Sequence, residues 1–266
     1  MKKLGTIIAF GGAFLFLATA AGQWTPMGNY ESVPPRGWED FEPSLARELD
    51  SFSRLVEFTQ DQISPSLSER EVMNILYDTV SKRFTHNQAT HNLFSNWILY
   101  FSGMIHPAFS HIYDPNLLVR KGHSLLCDQA SYVLLRLALE HGIRARHVGL
   151  DGHVVMEAWY DSDWHLYDPD LEVVPLNSDG QVLSVEKLAQ DQVLLEKYYG
   201  PHGAVDIISS RENNTYMSYP EGARFEWKTN VLVYFERCME LMKFLLPVTL
   251  IVIGSWIDLR LTKRDA

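Results

Sequence analysis

Cys127 is the residue of this 266-residue chain best placed for covalent chemistry. It stands in GHSLLCDQASYVLLRLALEHGIRAR (122–146), where apolar residues repeat at the spacing of one helical face: Ala130, Val133, Leu134, Leu137 and Ala138. Gly142 suits the end of that helix. The first turn of a helix has unpaired N–H groups and a positive dipole end, and both favour a thiolate. Cys127 is therefore either a candidate nucleophile or a small buried hydrophobic residue.

A cysteine nucleophile needs an imidazole to take its proton and a carboxylate to orient that imidazole. Two segments downstream alternate as strands do, HVVMEAWY (153–160) and WHLYD (164–168). Asp161 and Ser162 between them suit a two-residue hairpin turn. The sequence therefore predicts an antiparallel hairpin in which Tyr160 pairs with Asp163.

The predicted register brings a histidine close to an aspartate. It pairs Val155 with Asp168, and His153 lies two residues before Val155, on the same face of the strand. Diagonal neighbours on one face lie about 7–8 Å apart at Cα, within reach of an Asp–His hydrogen bond. The helix and the hairpin are therefore predicted to supply Cys127, His153 and Asp168 as a catalytic group.

The elements that must position these residues follow an α+β order, helices first and an antiparallel sheet afterwards. From residue 143 onward the apolar period changes from helical to two. Helices are predicted at 44–59 with Ser44 as cap, after a capping box at 68–71, at 92–102 and at 184–199. Residues 103–121 are predicted to form a long loop, which could act as a lid.

Taken together, the motifs resemble the transglutaminase-like superfamily, which is similar in architecture to papain-like cysteine proteases. The family pattern is a Cys opening a helix, a GIPAR-like strand entry, a His, a Glu four residues later, a Trp and an Asp-Pro pair. The matching residues here are Cys127, Gly142 to Arg146, His153, Glu157, Trp164 and Asp168-Pro169. The resemblance covers residues 68–175. It implies Cys127 as nucleophile, His153 as base and acid and Asp168 as orienting group, with Glu157 and Trp164 supporting them.

Two departures from that pattern concern the surroundings of the nucleophile. The family usually has Gly-x-Cys, whereas Gly122 stands five residues before Cys127 here. The aromatic residue usual after the His is replaced by valines 154 and 155. A second oxyanion donor is not identified by the pattern; the candidates are Gln88, Asn92 and Trp97.

Both ends of the chain carry apolar runs. Residues 1–22 begin with two lysines and continue uncharged, which indicates a signal peptide, cleavable after Ala20, or an N-terminal membrane anchor. Residues 244–257 are apolar and are predicted to span a membrane, with Lys243 extending to the interface. Basic residues at both ends place both termini in the cytoplasm. The middle of the chain is then extracytoplasmic, as in a periplasm.

These observations divide the chain into six segments. They are a signal peptide or anchor (1–22), a linker (23–40), the transglutaminase-like domain (41–230), a juxtamembrane helix (231–243), a transmembrane helix (244–257) and a basic cytoplasmic tail (258–266). The predicted fold is thus N-terminal helices packed on an antiparallel sheet, with a transmembrane helix at each end.

Composition narrows the range of partners. The net charge of −10 argues against nucleic acid, because phosphate binding needs a basic face. The histidines upstream of Cys127 lack the spacing of a helical metal-ligand pair, and no acidic loop suggests calcium, so neither a metal nor a cofactor is expected. A disulfide between Cys127 and Cys238 is the alternative to a free thiol in an exported domain.

The sequence therefore predicts a membrane-anchored cysteine enzyme that acts on amide bonds of exported proteins or peptides through an acyl-thioester. Either water or an amine could accept the acyl group, so both hydrolysis and transfer remain open. The competing hypothesis is a non-catalytic transglutaminase-like scaffold module in envelope or polysaccharide assembly. Such a module would not need all three catalytic residues.

Overall fold

A computed structural model of the chain describes residues 2–150, 152–209, 215–216 and 224–264. The helices are α1 (Lys2–Trp24), α2 (Pro43–Glu48), α3 (Phe52–Gln62), α4 (Glu69–Arg83), α5 (Trp97–Gly103), α6 (Pro115–Arg120), α7 (Cys127–Glu140), α8 (Val185–Leu188), α9 (Gln192–Tyr199), α10 (Val205–Ser209) and α11 (Arg224–Arg264). The strands are β1 (Thr85–His86), β2 (Ser124–Leu125), β3 (Arg144–Gly149), β4 (Val154–Tyr160), β5 (Asp163–Tyr167) and β6 (Thr215–Tyr216). The chain is mixed helix and sheet, as predicted.

The chain forms two compact units. The first, called here the hairpin unit, contains Met1–Tyr30, Thr90–Ile112 and Leu232–Ala266. The second, called here the sheet unit, contains Glu31–Ala89 and Tyr113–Val231. All three residues of the predicted catalytic group belong to the sheet unit.

The four-stranded sheet has the order β5-β4-β3-β6, with antiparallel pairing throughout. Tyr160 pairs with Asp163, which confirms the predicted hairpin register. Asp161 and Ser162 both have positive φ, 49° and 61°, as a two-residue turn of the I′ type requires. That turn matches the twist of the strands and therefore fixes which residues of β4 and β5 share a face.

Helix α7 begins at Cys127 and packs across β3 and β4. It ends in a Schellman motif: Ile143 N–H donates to the Ala138 carbonyl (2.9 Å), and Gly142 N–H to the Leu139 carbonyl (3.0 Å). Gly142 has φ +77°, a conformation that a residue with a Cβ adopts at a cost. One turn into the helix, Ser131 Oγ donates to the Val154 carbonyl (3.0 Å), which ties α7 to the start of β4.

Several predicted helices differ from those observed. The capping box at 68–71 opens α4 as predicted. The single helix predicted at 44–59 is instead two helices: Ser44, the predicted cap, lies inside α2, and Ser51 caps α3. The helix predicted at 184–199 is likewise divided, because Asp191 caps a new helix. In both places a capping side chain competes with helix continuation, which an apolar period does not reveal. Residues 103–121 are not a continuous loop, since they contain α6.

The segment before the nucleophile is held by a short parallel pair that the sequence pattern did not predict. β1 pairs with β2, with Thr85 opposite Ser124. The hydroxyls of these two residues lie 2.6 Å apart, and Val33 N–H donates to Ser124 Oγ (2.9 Å). Arg83, at the end of α4, is buried and donates to the carbonyls of Val119 and Gly122. These contacts fix the approach to Cys127.

In the hairpin unit, α1 and the carboxyl half of α11 pack antiparallel through glycines. A Cβ on Gly12 would lie 2.6 Å from the Pro247 carbonyl oxygen, and one on Gly254 would lie 2.5 Å from the Gly5 carbonyl oxygen. Thr6 Oγ1 also donates to Asp258 Oδ2 (2.7 Å). The amino end of α1 therefore lies beside the carboxyl end of α11.

Polar side chains join α11 to the segment around residues 91–97 of the same unit. His91 Nε2 lies 2.6 Å from Glu236 Oε1, and both side chains are buried. Lys243 is only 1% exposed and donates to the Ser95 carbonyl (2.7 Å) and to Glu240. These acceptors compensate the charge of Lys243 inside the unit, and its extension to a membrane interface stays a prediction.

Within the part of the chain that the structure describes, two helices are long and apolar enough to cross a membrane, over Leu4–Trp24 and Val231–Thr262. Their outward side chains are large and apolar: Leu4, Ile7, Phe10, Phe14 and Leu17 on α1 and Leu245, Leu246, Val252 and Ile253 on α11 are exposed. Such a surface is stable in lipid and unfavourable in water. The hairpin unit therefore suggests membrane anchoring.

Candidate active site

Cys127 is the first residue of α7 and is buried, with a free thiol. Cys238 is also a free thiol but is exposed, so the structure contains no disulfide between the two cysteines. Gln129 secures the start of the helix: its Oε1 accepts from the N–H groups of Leu126 (3.2 Å) and Ala89 (2.9 Å). The thiol therefore sits on a backbone that two separate segments hold in place.

His153 and Asp168 meet as the hairpin register predicts. His153 Nε2 lies 2.7 Å from Asp168 Oδ2, with the imidazole 6% and the carboxylate 0% exposed. Asp168 Oδ2 also accepts from the Tyr199 hydroxyl (3.2 Å). Its other oxygen accepts from the N–H groups of Asp170 (3.2 Å) and Leu171 (3.1 Å). These four hydrogen-bond donors hold the carboxylate in one orientation and offset the free-energy cost of burying its charge.

His153 also contacts the thiol. A ring nitrogen of His153 lies within 4.8 Å of the Cys127 sulfur, and Asp168 already occupies Nε2, which leaves Nδ1 to face the sulfur. Burial alone would lower the pKa of His153. The charge and hydrogen bond of Asp168, together with the contact to Cys127, outweigh burial and raise the pKa of His153 to about 11. Asp168 thus favours the protonated, cationic form of the imidazole beside the sulfur.

A fourth polar residue, Asp170, joins the group and was not predicted. Atoms of Cys127, His153 and Asp170 that could bind a metal all lie within 4.8 Å of one another. Asp170 Oδ1 is 2.5 Å from Nδ1 of His86, while its buried Oδ2 has no hydrogen-bond partner among the described residues. Burial raises the pKa of Asp170, and the bond to His86 opposes this effect. The only available sequence signal was an acidic residue two positions after Asp168 in an Asp-Pro-Asp run.

The predicted supporting residues lie on strands β4 and β5 of the sheet unit, and Arg146 contacts both of them. Glu157 is fully buried; its Oε2 accepts from Arg146 Nε (2.6 Å) and its Oε1 from Val185 N–H (2.7 Å). The guanidinium of Arg146 lies 4.0 Å from the centre of the Trp164 ring. Glu157 and Trp164 thus join β3, β4, β5 and α8, and in this way they support the sheet that carries His153.

Two of the three candidates for a second oxyanion donor are bonded elsewhere. Asn92 Nδ2 donates to the carbonyls of Met27 and Asn29, and Trp97 Nε1 donates to the Lys243 carbonyl (3.3 Å), all within the hairpin unit. Gln88 follows β1, and continuing the parallel pairing of His86 with Leu125 by two residues sets Gln88 opposite Cys127. Which of the three residues serves as a second oxyanion donor therefore stays a prediction.

The arrangement has the parts for thiol-based acyl chemistry: a sulfur at a helix start, an imidazole beside it and a buried carboxylate behind the imidazole. Comparison with protein-family models, curated proteins and solved structures finds no match to this chain. The resemblance to the transglutaminase-like superfamily therefore stays a prediction.

Proposed function

We propose that this protein is a membrane-anchored, transglutaminase-like cysteine hydrolase or acyltransferase that acts on amide bonds of exported proteins or peptides. The observation that carries the proposal is the placement of the His153 imidazole between Asp168 Oδ2, at 2.7 Å, and the Cys127 thiol. A cysteine that served only as a buried apolar residue would gain nothing from that pair. A scaffold module likewise would not require it.

The proposed reaction proceeds in two steps. Cys127 Sγ attacks the amide carbonyl carbon while the helix start, through the N–H of Cys127, stabilises the oxyanion. His153 donates a proton to the departing amine, the carbon–nitrogen bond breaks, and a thioester remains on Cys127. Water or a second amine then attacks the thioester, His153 accepts its proton, and the thiolate is released. Asp168 orients the imidazole throughout and stabilises its cationic form.

The proposed location follows from the two apolar helices. Antiparallel packing of α1 and α11 sets the two chain ends beside each other, and basic residues lie at both ends of the sequence. By the positive-inside rule both ends lie in the cytoplasm, and the sheet unit lies on the other side of the membrane. Its substrates are then exported proteins or peptides.

The test is to trap the acyl-enzyme. The full chain in detergent, with a chelator present, is incubated with a library of glutamine-containing and other peptide amides, with or without a primary amine, and analysed by intact and peptide mass spectrometry. We expect an acyl adduct on Cys127, loss of adduct and of turnover in Cys127→Ala, and full turnover in the matched control Cys238→Ala. Turnover that survives Cys127→Ala would contradict the proposal. Release of free acid or of an acylated amine distinguishes hydrolysis from transfer.

A further inference from the structure

The side chains around Cys127 include a buried carboxylate oxygen that the proposed reaction does not use. Asp170 is 5% exposed, and its Oδ2 has no hydrogen-bond partner among the described residues. It lies 3.9 Å from His153 Nδ1, and a carboxylate oxygen of Asp170 lies within 4.8 Å of the Cys127 sulfur. His153 is the cation that faces this oxygen, but at 3.9 Å it is too far away to donate a hydrogen bond. The hydrogen-bonding capacity of a buried carboxylate oxygen is thus unused, which is unfavourable and leaves the oxygen available to a bound ion.

We propose that Cys127 Sγ, His153 Nδ1 and Asp170 Oδ2 form a binding site for a divalent transition-metal ion of the zinc type. Sulfur, imidazole nitrogen and carboxylate oxygen are the donors that Zn²⁺ takes in proteins. Ligand atoms around a tetrahedral zinc lie roughly 3.3–3.7 Å apart, given bond lengths of about 2.0–2.3 Å. Contraction by about 1 Å brings the three observed atoms to that separation. The fourth position is open to water or to a substrate group.

Outer contacts around the three ligands support a metal site. Histidine ligands usually donate their second ring N–H to a carboxylate, and His153 Nε2 has that contact with Asp168. Ligating carboxylates are usually hydrogen-bonded through their other oxygen, and Asp170 Oδ1 has that contact with His86 Nδ1. Each of these two ligands therefore already has an outer partner that fixes its orientation.

Metal binding and nucleophilic attack compete for the same sulfur. When the ion binds, the protons held by Cys127 Sγ and His153 Nδ1 pass to the buffer as the metal–sulfur and metal–nitrogen bonds form, so the sulfur is no longer available to an acyl group or an alkylating reagent. The site would thus act as a reversible metal-dependent block on Cys127. The inference goes beyond the proposed acyl chemistry and does not depend on it, because it requires only the three ligand atoms.

The test uses metal alone, without substrate. The full chain in detergent is titrated with Co²⁺, whose bond to a thiolate gives an ultraviolet charge-transfer band, and then with Zn²⁺ in competition with a chelating dye. We expect one equivalent of Co²⁺ to produce the band, Zn²⁺ to displace it, and bound Zn²⁺ to block alkylation of Cys127. Cys127→Ser should abolish the band, and the control Cys238→Ser should keep it.

Two further variants test the carboxylate. Asp170→Asn should weaken Zn²⁺ binding by at least 10-fold, and His86→Gln, which removes only the outer contact, should weaken it by about 10-fold. His86→Gln leaves all three proposed ligands in place, so it tests the role of Asp170 if Asp170→Asn does not fold. No cobalt–thiolate band, or Zn²⁺ affinity unchanged in both variants, would overturn the proposal. Neither result would affect the acyl-enzyme experiment, because that experiment is done in the presence of a chelator.

Discussion

At the residue scale, the proposed chemistry depends on Asp168, a buried carboxylate that accepts several hydrogen bonds. Asp168 accepts from His153, Tyr199 and two backbone N–H groups, and it is fully buried. Its charge raises the pKa of His153, which burial alone would lower. Asp168 therefore both orients the imidazole of His153 and favours its positive charge.

Asp168→Asn tests that dependence. We expect the turnover of amide substrates to fall by about 10³- to 10⁴-fold, because a neutral amide neither fixes the ring nor stabilises its cation. In the variant the pKa of His153 should fall, as measured by NMR titration, because the charge of Asp168 is the largest effect that opposes burial. Asp163→Asn, in the hairpin turn beside Lys187, is the matched control and should keep the native rate. Native turnover in Asp168→Asn would rule out the assigned role.

The same pair has a consequence for stability. The pKa of His153 is raised from 6.5 to about 11 by folding. The folded state therefore binds the proton more tightly, and this contribution to stability is complete below pH 6.5 and is lost as the pH rises through about 11. Asp168→Asn should remove that alkaline loss from the pH dependence of the free energy of unfolding.

At the scale of elements, the hairpin could be predicted and the helices only partly. Few backbone conformations allow a two-residue turn at Asp161 and Ser162, so the turn determines the register of β4 and β5. That register places His153 beside Asp168. Asp170 could not be placed in the same way, because it follows Pro169 beyond the paired strand. His86 was missed because its partner lies 84 residues away along the chain, in a contact without any local pattern.

The helix pair of the hairpin unit is a second feature that the apolar pattern did not show. A Cβ added at Gly12 would lie only 2.6 Å from the backbone of α11, whereas nothing lies within 4 Å of a Cβ added at its neighbour Gly11. Close backbone approach through small residues is how membrane helices associate. The pair also bears on cleavage, because Thr19 and Ala20 in the predicted signal-peptidase site are buried within α1.

Gly12→Val should therefore separate α1 from α11, while Gly11→Val should be tolerated. The two substitutions have the same intrinsic effect on a helix, so the difference reports packing alone. We expect thermal unfolding of the full chain in bicelles to shift downward only for Gly12→Val. Equal behaviour of the two variants, or an N-terminal sequence that begins after Ala20 in the mature protein, would show that the pair is not retained.

At the scale of the whole molecule, the proposed functions of anchoring and catalysis belong to different units. The candidate catalytic residues all belong to the sheet unit, and both apolar spans include segments of the hairpin unit. Composition predicted that division in outline, since the apolar runs lie at the two ends of the chain. It did not predict that residues 90–112 belong with the membrane helices, because the contacts of His91 and Ser95 with α11 join distant parts of the sequence.

The proposed orientation predicts that both ends of the chain are on one side of the membrane and the sheet unit on the other. Protease added to intact spheroplasts should digest the sheet unit and spare a tag fused after Ala266. The same tag should become sensitive only when the membrane is permeabilised. Protection of the sheet unit in intact spheroplasts would invert the topology and exclude exported substrates.

The central claim is that His153 activates the thiol of Cys127, and the most direct measurement is the rate of alkylation of each cysteine by iodoacetamide at neutral pH with a chelator present. Accessibility alone predicts that exposed Cys238 reacts faster than buried Cys127. We predict the reverse order, together with a fall of about 10²-fold for Cys127 in His153→Asn. His141→Asn, at the other end of α7, should leave the rate unchanged. Faster reaction of Cys238 than Cys127, with no effect of His153→Asn, would contradict the account.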